Sequence, residues 1–247
     1  MAEESSKNEL KLKLFGPVAE SAGSTLQNVW ELIFGPFDFY AQRKKLSRQH
    51  DFNEFKKTFE EKVSEIPEDS LKEPRLSMLG PTLEASKYYF EEKPLRDMFA
   101  SLAAASVDKR KERYLHPSFP EIIKQMSPLD ADNLKLFTSQ LPVAEYYQKK
   151  KGSDFVTTVI SNVFLMNKNE NDIELQSQSI SSLARLGLLN VEYEKTILAD
   201  KFYEVFHTTS YFVNLTIKLN QEGFLTGVTR GRAFLSPLGK SFMAVCL

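Results

Sequence analysis

Between residues 116 and 130 the chain reads His116-Pro117-Ser118-Phe119-Pro120-Glu121 and then Ser127-Pro128-Leu129-Asp130. Serine, histidine and carboxylate are the residue types of nucleophilic catalysis. There an imidazole takes the hydroxyl proton and an acid orients the ring. The spacing has a second physical reading. Ser118 with Glu121 three residues on is a capping box, in which each side chain serves a backbone N–H near the other. Pro120 falls in the first turn, where no N–H is needed. Ser127-Pro128 with Asp130 repeats the signal, with proline at the first helical position. Both carboxylates would lie near positive helix N-termini, a gain of about 0.3–1 kcal/mol each. No Asp follows His116 in an orienting position. Ser118, Glu121, Ser127 and Asp130 are therefore expected as structural caps, and His116 as the residue that fixes the turn before the first helix. No catalytic residue is assigned, and the chain is not expected to be an enzyme.

Other chemistries find less material. The three histidines, His50, His116 and His207, fall in no metal-ligand spacing, and the one cysteine is Cys246. No zinc site and no cofactor are expected. "GVTRGR" (227–232) lacks the G-K-[ST] ending of a phosphate loop and reads as a wing turn. Its Arg230 and Arg232, with Lys149, Lys150 and Lys151, are the candidate contacts to nucleic-acid phosphate. Gln176, Gln178, Ser179 and Ser182, on a helix expected over 172–186, are the residues that can touch bases. Against this, residues 127–247 hold 12 Lys+Arg and 12 Asp+Glu. A DNA reader needs an excess of cations, so nucleic-acid binding is not favoured.

These side chains need elements to hold them. Residues 1–13 are expected to be disordered. Gly16-Pro17 then opens an amphipathic segment with Phe15, Val18, Leu26, Ile33 and Phe37 on one face and Trp30 among its apolar side chains. Its own charges are Glu20, Glu31 and Asp38, whereas an interfacial helix carries Lys and Arg. The face is expected to pack internally, against a partner protein or in a homo-oligomer. Membrane association through 14–40 is not favoured. Phe52, Phe55, Phe59, Val63 and Ile66 form a second helical stripe that stops at Pro67. Pro81 and Pro94 open further helices, the latter burying Leu95, Met98, Phe99 and Leu102. After residue 141 the pattern changes. "PVAEYYQKK" reads as a strand, "DFVTTVISNVFLM" as helix, and "NDIELQSQSISSLARLGLL" as a helix ended by Gly187. A strand, a helix broken near His207-Thr208, a strand–turn–strand and a helix opened at Ser236-Pro237 follow. The expected fold is mainly α with a small β component. A helical domain over 14–126 precedes a winged-helix-like domain over 127–247 with a helical insertion before the last strand.

Hydrophobic residues are 42% and charged residues 26%, with formal net charge −1. That is the balance of a soluble globular protein, without the field of a nucleic-acid or membrane-surface binder. The N-terminus lacks the apolar run of a signal peptide. No apolar stretch approaches the ~18 residues of a membrane span. With a lone cysteine, a cytoplasmic location is expected.

Taken in order, "FGPVAES", "PLRDMFASLAAAS", "LHPSFPEIIKQMSPLDADNLKLF", "SISSLARLGLL" and "LSPLGKSFMAVC" resemble the Abi-alpha (abortive infection alpha) family over roughly residues 14–247. The His-Pro-Ser-Phe element is the most distinctive part. The resemblance implies a largely helical protein of a bacterial phage-resistance locus, and it carries over no catalytic residues. The function expected is phage defence through protein–protein contacts. The alternatives are a winged-helix nucleic-acid binder and a membrane-associated toxic effector.

Overall fold

The computed structural model describes residues 31–32, 46–197 and 199–247. The apolar face Phe15, Val18, Leu26, Trp30, Ile33 and Phe37, and the expected disorder of 1–13, lie outside the described residues. The chain divides into two compact units. One runs to Pro128 and includes Ser241–Leu247; the other is Leu129–Lys240. The sequence division assigns that last segment to the second domain instead.

In the first unit α1 (Leu46–Ser64) buries Phe52, Phe55, Phe59 and Val63, as its three-and-four spacing demands. Phe90 closes over it, 5.5 Å from the Phe52 ring and 5.1 Å from the Phe55 ring. The next helix, α2 (Leu76–Ser86), starts before Pro81 and carries it inside, so Pro81 does not open it. In α3 (Lys93–Ser106) Pro94 lies in the first turn, and Leu95, Met98, Phe99 and Leu102 are fully buried. From Ala100 onward its other residues are Ala and Ser, small enough to be enclosed as well. A 3-10 turn (Lys109–Tyr114), capped by Asp108, leads to α4 (Phe119–Lys124). Phe119 of α4 meets Phe242 edge-on at 5.1 Å.

The second unit is built on one antiparallel sheet. After α5 (Pro128–Lys135) come β1 (Leu141–Lys150), β2 (Val156–Val163), α6 (Ile173–Arg185), β3 (Leu189–Glu192), α7 (Lys201–Thr208), α8 (Ser210–Gln221) and β4 (Phe224–Leu235). The helix α9 (Pro237–Cys246) ends the chain's regular structure. Strand order is β2-β1-β4-β3. The helix pair α7–α8 lies on β1 and β4, and α6 packs against β2 and β3. Under α7 and α8 sits a core of Ala144, Tyr146, Val163, Tyr203 and Phe206. Tyr146 Oη donates to the Phe206 carbonyl at 2.8 Å, which ties strand to helix.

Two expected elements differ. Residues 156–163 form a strand paired with β1, where helix was expected. Residues 224–235 form one unbroken strand, without the expected wing turn. Gly227 and Gly231 sit inside it because tyrosines lie across them. A Cβ on Gly227 would meet Tyr147, and one on Gly231 would meet the Tyr193 ring. An aromatic over a strand glycine covers the backbone that the missing side chain leaves bare. Other boundaries agree with the sequence. Gly187, at φ +75, ends α6 in a Schellman turn, with its N–H on Ala184 and that of Leu188 on Leu183. Thr209 breaks α7 from α8 and caps the latter through Phe212 N–H.

Candidate functional site

The His-Pro-Ser segment is a closed turn, with Phe119 N–H on the His116 carbonyl at 3.0 Å. Ser118 sits at φ −78, ψ −10, in the helical region, and makes no side-chain cap bond. A serine cap needs an extended backbone for its hydroxyl to reach back to the second or third N–H. The hydroxyl instead meets His116 Nδ1 at 2.7 Å, and Ser118 N–H donates to the same nitrogen at 3.2 Å. Glu121 turns away to Lys124, at 2.9 Å. The expected capping box is therefore absent, and histidine takes the serine that was assigned to the backbone. Nδ1 accepts from both groups, so Nε2 carries the imidazole proton. Among the described residues no acid orients the ring from Nε2, as a serine–histidine–acid relay requires.

Real caps lie elsewhere. Asp172 accepts from Glu174 N–H at 2.8 Å and Leu175 N–H at 3.1 Å at the start of α6. Asp172→Ala should cost about 0.5–2 kcal/mol. Ser118→Ala loses one exposed bond and should cost about 0.5 kcal/mol or less, and Ser118→Asp should bring no gain. Urea unfolding of the three variants measures the difference. A Ser118→Ala loss as large as that of Asp172→Ala, restored by Asp, would reinstate the cap.

Ser127 stands directly before Pro128, the first residue of α5. Asp130 lies in the first turn of α5, as expected, but is 3% exposed and accepts from Ser182 Oγ of α6 at 3.1 Å. A second set of buried bonds joins the same two helices. Asn133 of α5 donates to Ser179 at 2.9 Å, and Asn167 donates to Asn133 at 2.8 Å.

The candidate phosphate contacts do not come together. Arg230 is ion-paired with Asp200 and lies over the Tyr203 ring. Arg232 holds Glu192 at 2.7 Å and Gln140 at 2.9 Å. The Arg232 guanidinium keeps the Glu192 carboxyl below its usual range. Lys149 pairs with Asp154 at 3.4 Å. It lies opposite Leu225 in the ladder, whereas Arg230 lies opposite Ala144. Five residues of strand, roughly 17 Å at about 3.4 Å each, separate the two groups. Of the expected base-touching residues, Gln176 and Ser179 are buried and Ser182 is bonded to Asp130.

Two features of the second unit escape sequence reading. One is a pin between sheet and helix. Asn162 takes a left-handed φ of 55 in a register break of β2. Its backbone N–H donates to Tyr193 Oη at 2.8 Å, and its side chain reaches Ser181 of α6 at 2.8 Å. Burial pushes the Tyr193 phenol up to about 12, so it stays a neutral donor to Asn162 Oδ1 at 3.0 Å. The other is a cleft of about 620 Å³ at the N-termini of α6 and α8, walled by the loop Asn167–Asp172 and by Tyr211. Its only sequence signal is the uncharacteristically polar run "NKNEND" ahead of α6.

The described residues thus define a mainly helical protein whose second unit packs helices against a small antiparallel sheet. The sequence pattern of the abortive infection alpha family matches residues 47–246, and the chain belongs to that family. No curated protein and no solved structure matches the chain. Among the described residues, no helix is long and apolar enough to cross a membrane.

Proposed function

We propose that the chain is a cytoplasmic phage-defence protein of the abortive-infection type that works through protein–protein contacts. Family membership supports the biological setting. The observation that carries the mechanism is the set of exposed apolar side chains on α7 and α8. Val213 and Ile217, one turn apart on α8, are 45% and 55% exposed, and Phe202 and Val205 do the same on α7. Soluble domains seldom leave apolar side chains grouped in water unless something binds them. The partner is another protein or a second copy of this chain.

We also infer a winged-helix ancestry for the second unit. The order β1-β4-β3, with α6 leading into β3, is that of a winged-helix sheet and its third helix. In this reading α7–α8 stands where the wing would be. Arg230 and Arg232 are engaged by Asp200 and Glu192, which favours protein contact over DNA reading for this surface.

The test is a plaque assay in a phage-sensitive bacterial host with and without the gene, with survival scored at high infection ratio. The gene should lower plaque number, and infected cells should die. Val213→Asp combined with Ile217→Asp should abolish both effects while unfolding stays within about 0.5 kcal/mol of wild type, as exposed sites allow. Protection kept by that folded variant would remove the contact mechanism. No protection from the wild-type gene would remove the defence role.

A further inference from the structure

The cleft at the start of α6 and α8 carries a charge that its own residues do not balance. Glu170, Asp172 and Glu174 line it, and none of the three has an ion-pair partner among the described residues. Lys168, also on the wall, donates to the Leu165 carbonyl at 2.9 Å. Each helix N-terminus contributes roughly half a positive charge. Two such termini and one lysine leave about one negative charge over, so the cleft favours a cation despite its helix ends.

Gln176 points the same way independently. It lines the cleft yet is 2% exposed. Its Nε2 donates to the Glu170 carbonyl at 2.7 Å and to that of Asn167 at 3.3 Å, which fixes the carboxamide. Its Oε1 is buried with no donor among the described residues. A buried acceptor without a donor is costly, and a ligand N–H satisfies it. No group of three acidic, histidine or cysteine side chains among the described residues is placed to hold a metal ion. Spread oxygens suit the several N–H donors of an organic cation. Leu165, Ile173 and Val205 supply an apolar wall. An alkyl stem can lie along it while the charged head stays among the oxygens. Tyr211 Oη holds Glu174 Oε1 in place at 3.2 Å.

We propose that this cleft binds an alkylammonium group, either a lysine side chain of a partner protein or a free polyamine. Gln176 Oε1 is the neutral acceptor, and Glu170 and Glu174 are the counter-charges. The site shares Val205 with the exposed apolar face of α7–α8, but neither Val213 nor Ile217 lines it, so the two proposals fail separately.

The experiment is calorimetry and NMR of the full chain at low salt, titrated with N-acetyl-lysine methylamide, with spermidine and with magnesium chloride. Saturable amine binding is expected, with shifts confined to residues 165–176 and 205–211. Glu174→Gln should weaken it about tenfold or more, the effect of one charge-assisted bond, and added sodium chloride should weaken it further. Gln176→Glu adds a charge to this wall but gives up the two bonds that Nε2 makes to the Glu170 and Asn167 carbonyls, and the folded variant should bind the amine more tightly. Should that variant not fold, Glu170→Gln combined with Glu174→Gln carries the test, since both amides keep the existing acceptor. Tighter binding of the capped lysine assigns a partner's side chain, and tighter binding of spermidine assigns a polyamine. Absence of saturable amine binding overturns the site. So does unchanged binding in the folded double variant, or displacement of the amine by equimolar magnesium.

Discussion

Replacing Gly239 by alanine is expected to bring the second unit close to unfolding. A Cβ at Gly239, in the first turn of α9, would lie 2.0 Å from the Leu188 carbonyl oxygen and 2.9 Å from its carbon. Both are backbone atoms, so no side chain can swing aside. The two segments are also bonded there. Ser236 N–H donates to the same Leu188 oxygen at 2.9 Å, Ser236 Oγ holds the Gly187 carbonyl, and Gly239 N–H returns to Ser236 Oγ at 2.9 Å. Overpacking costs about 1–3 kcal/mol where side chains yield, and more where they cannot. A loss of at least about 3 kcal/mol in urea unfolding is expected. A Gly239→Ala protein within about 1 kcal/mol of wild type would mean that α9 can lift from Leu188 at little cost.

Phe206→Ala should cost about 3–5 kcal/mol, the usual loss for a buried phenylalanine. The ring is fully buried among Tyr146, Tyr203 and Val163. Its carbonyl also receives the Tyr146 hydroxyl, so the cavity would loosen the bond that joins β1 to α7. Phe202, one turn earlier on the same helix, is 41% exposed. Phe202→Ala should cost less, about 1–2 kcal/mol, because about two fifths of its surface already faces water. The pair separates core from contact face within eight residues. Equal losses would show that the contact face is covered within the chain, and would undercut it as a binding surface.

Where one helical face meets one core, local sequence was sufficient. Phe52 to Ile66 shows this, as does the glycine stop at Gly187. The failures have long-range causes. Ile160 and Val163 both point into the core under α7. Their spacing of three is that of a helix, but the register break around Asn162 produces it in a strand. The β-branched content of the segment, with Thr157, Thr158 and Val159, was the better guide. Gly227 and Gly231 looked like a turn because the tyrosines that cover them come from elsewhere in the chain. Ser118 carried a capping pattern, yet its backbone conformation gave the hydroxyl to His116. The chemistry of the cleft was illegible because Gln176 looks like any exposed helical glutamine until its burial is known.

The place of β4 in the sheet sets the order in which this protein can be made. Its two partners among the described residues, β1 and β3, both leave the ribosome before it, and β3 has no other partner among them. β1 ends at Lys150 and β4 begins at Phe224. At roughly 5–20 residues per second of synthesis, that interval lasts about 4–15 s. Throughout it one side of β1 is unpaired, while β2, on its other side, offers Val156 to Val159 to water. Residues 155–167 carry no charge to discourage strangers. The nascent chain is therefore most vulnerable to mispairing in the seconds before its last strand arrives, and crowding on a polysome brings identical open edges side by side.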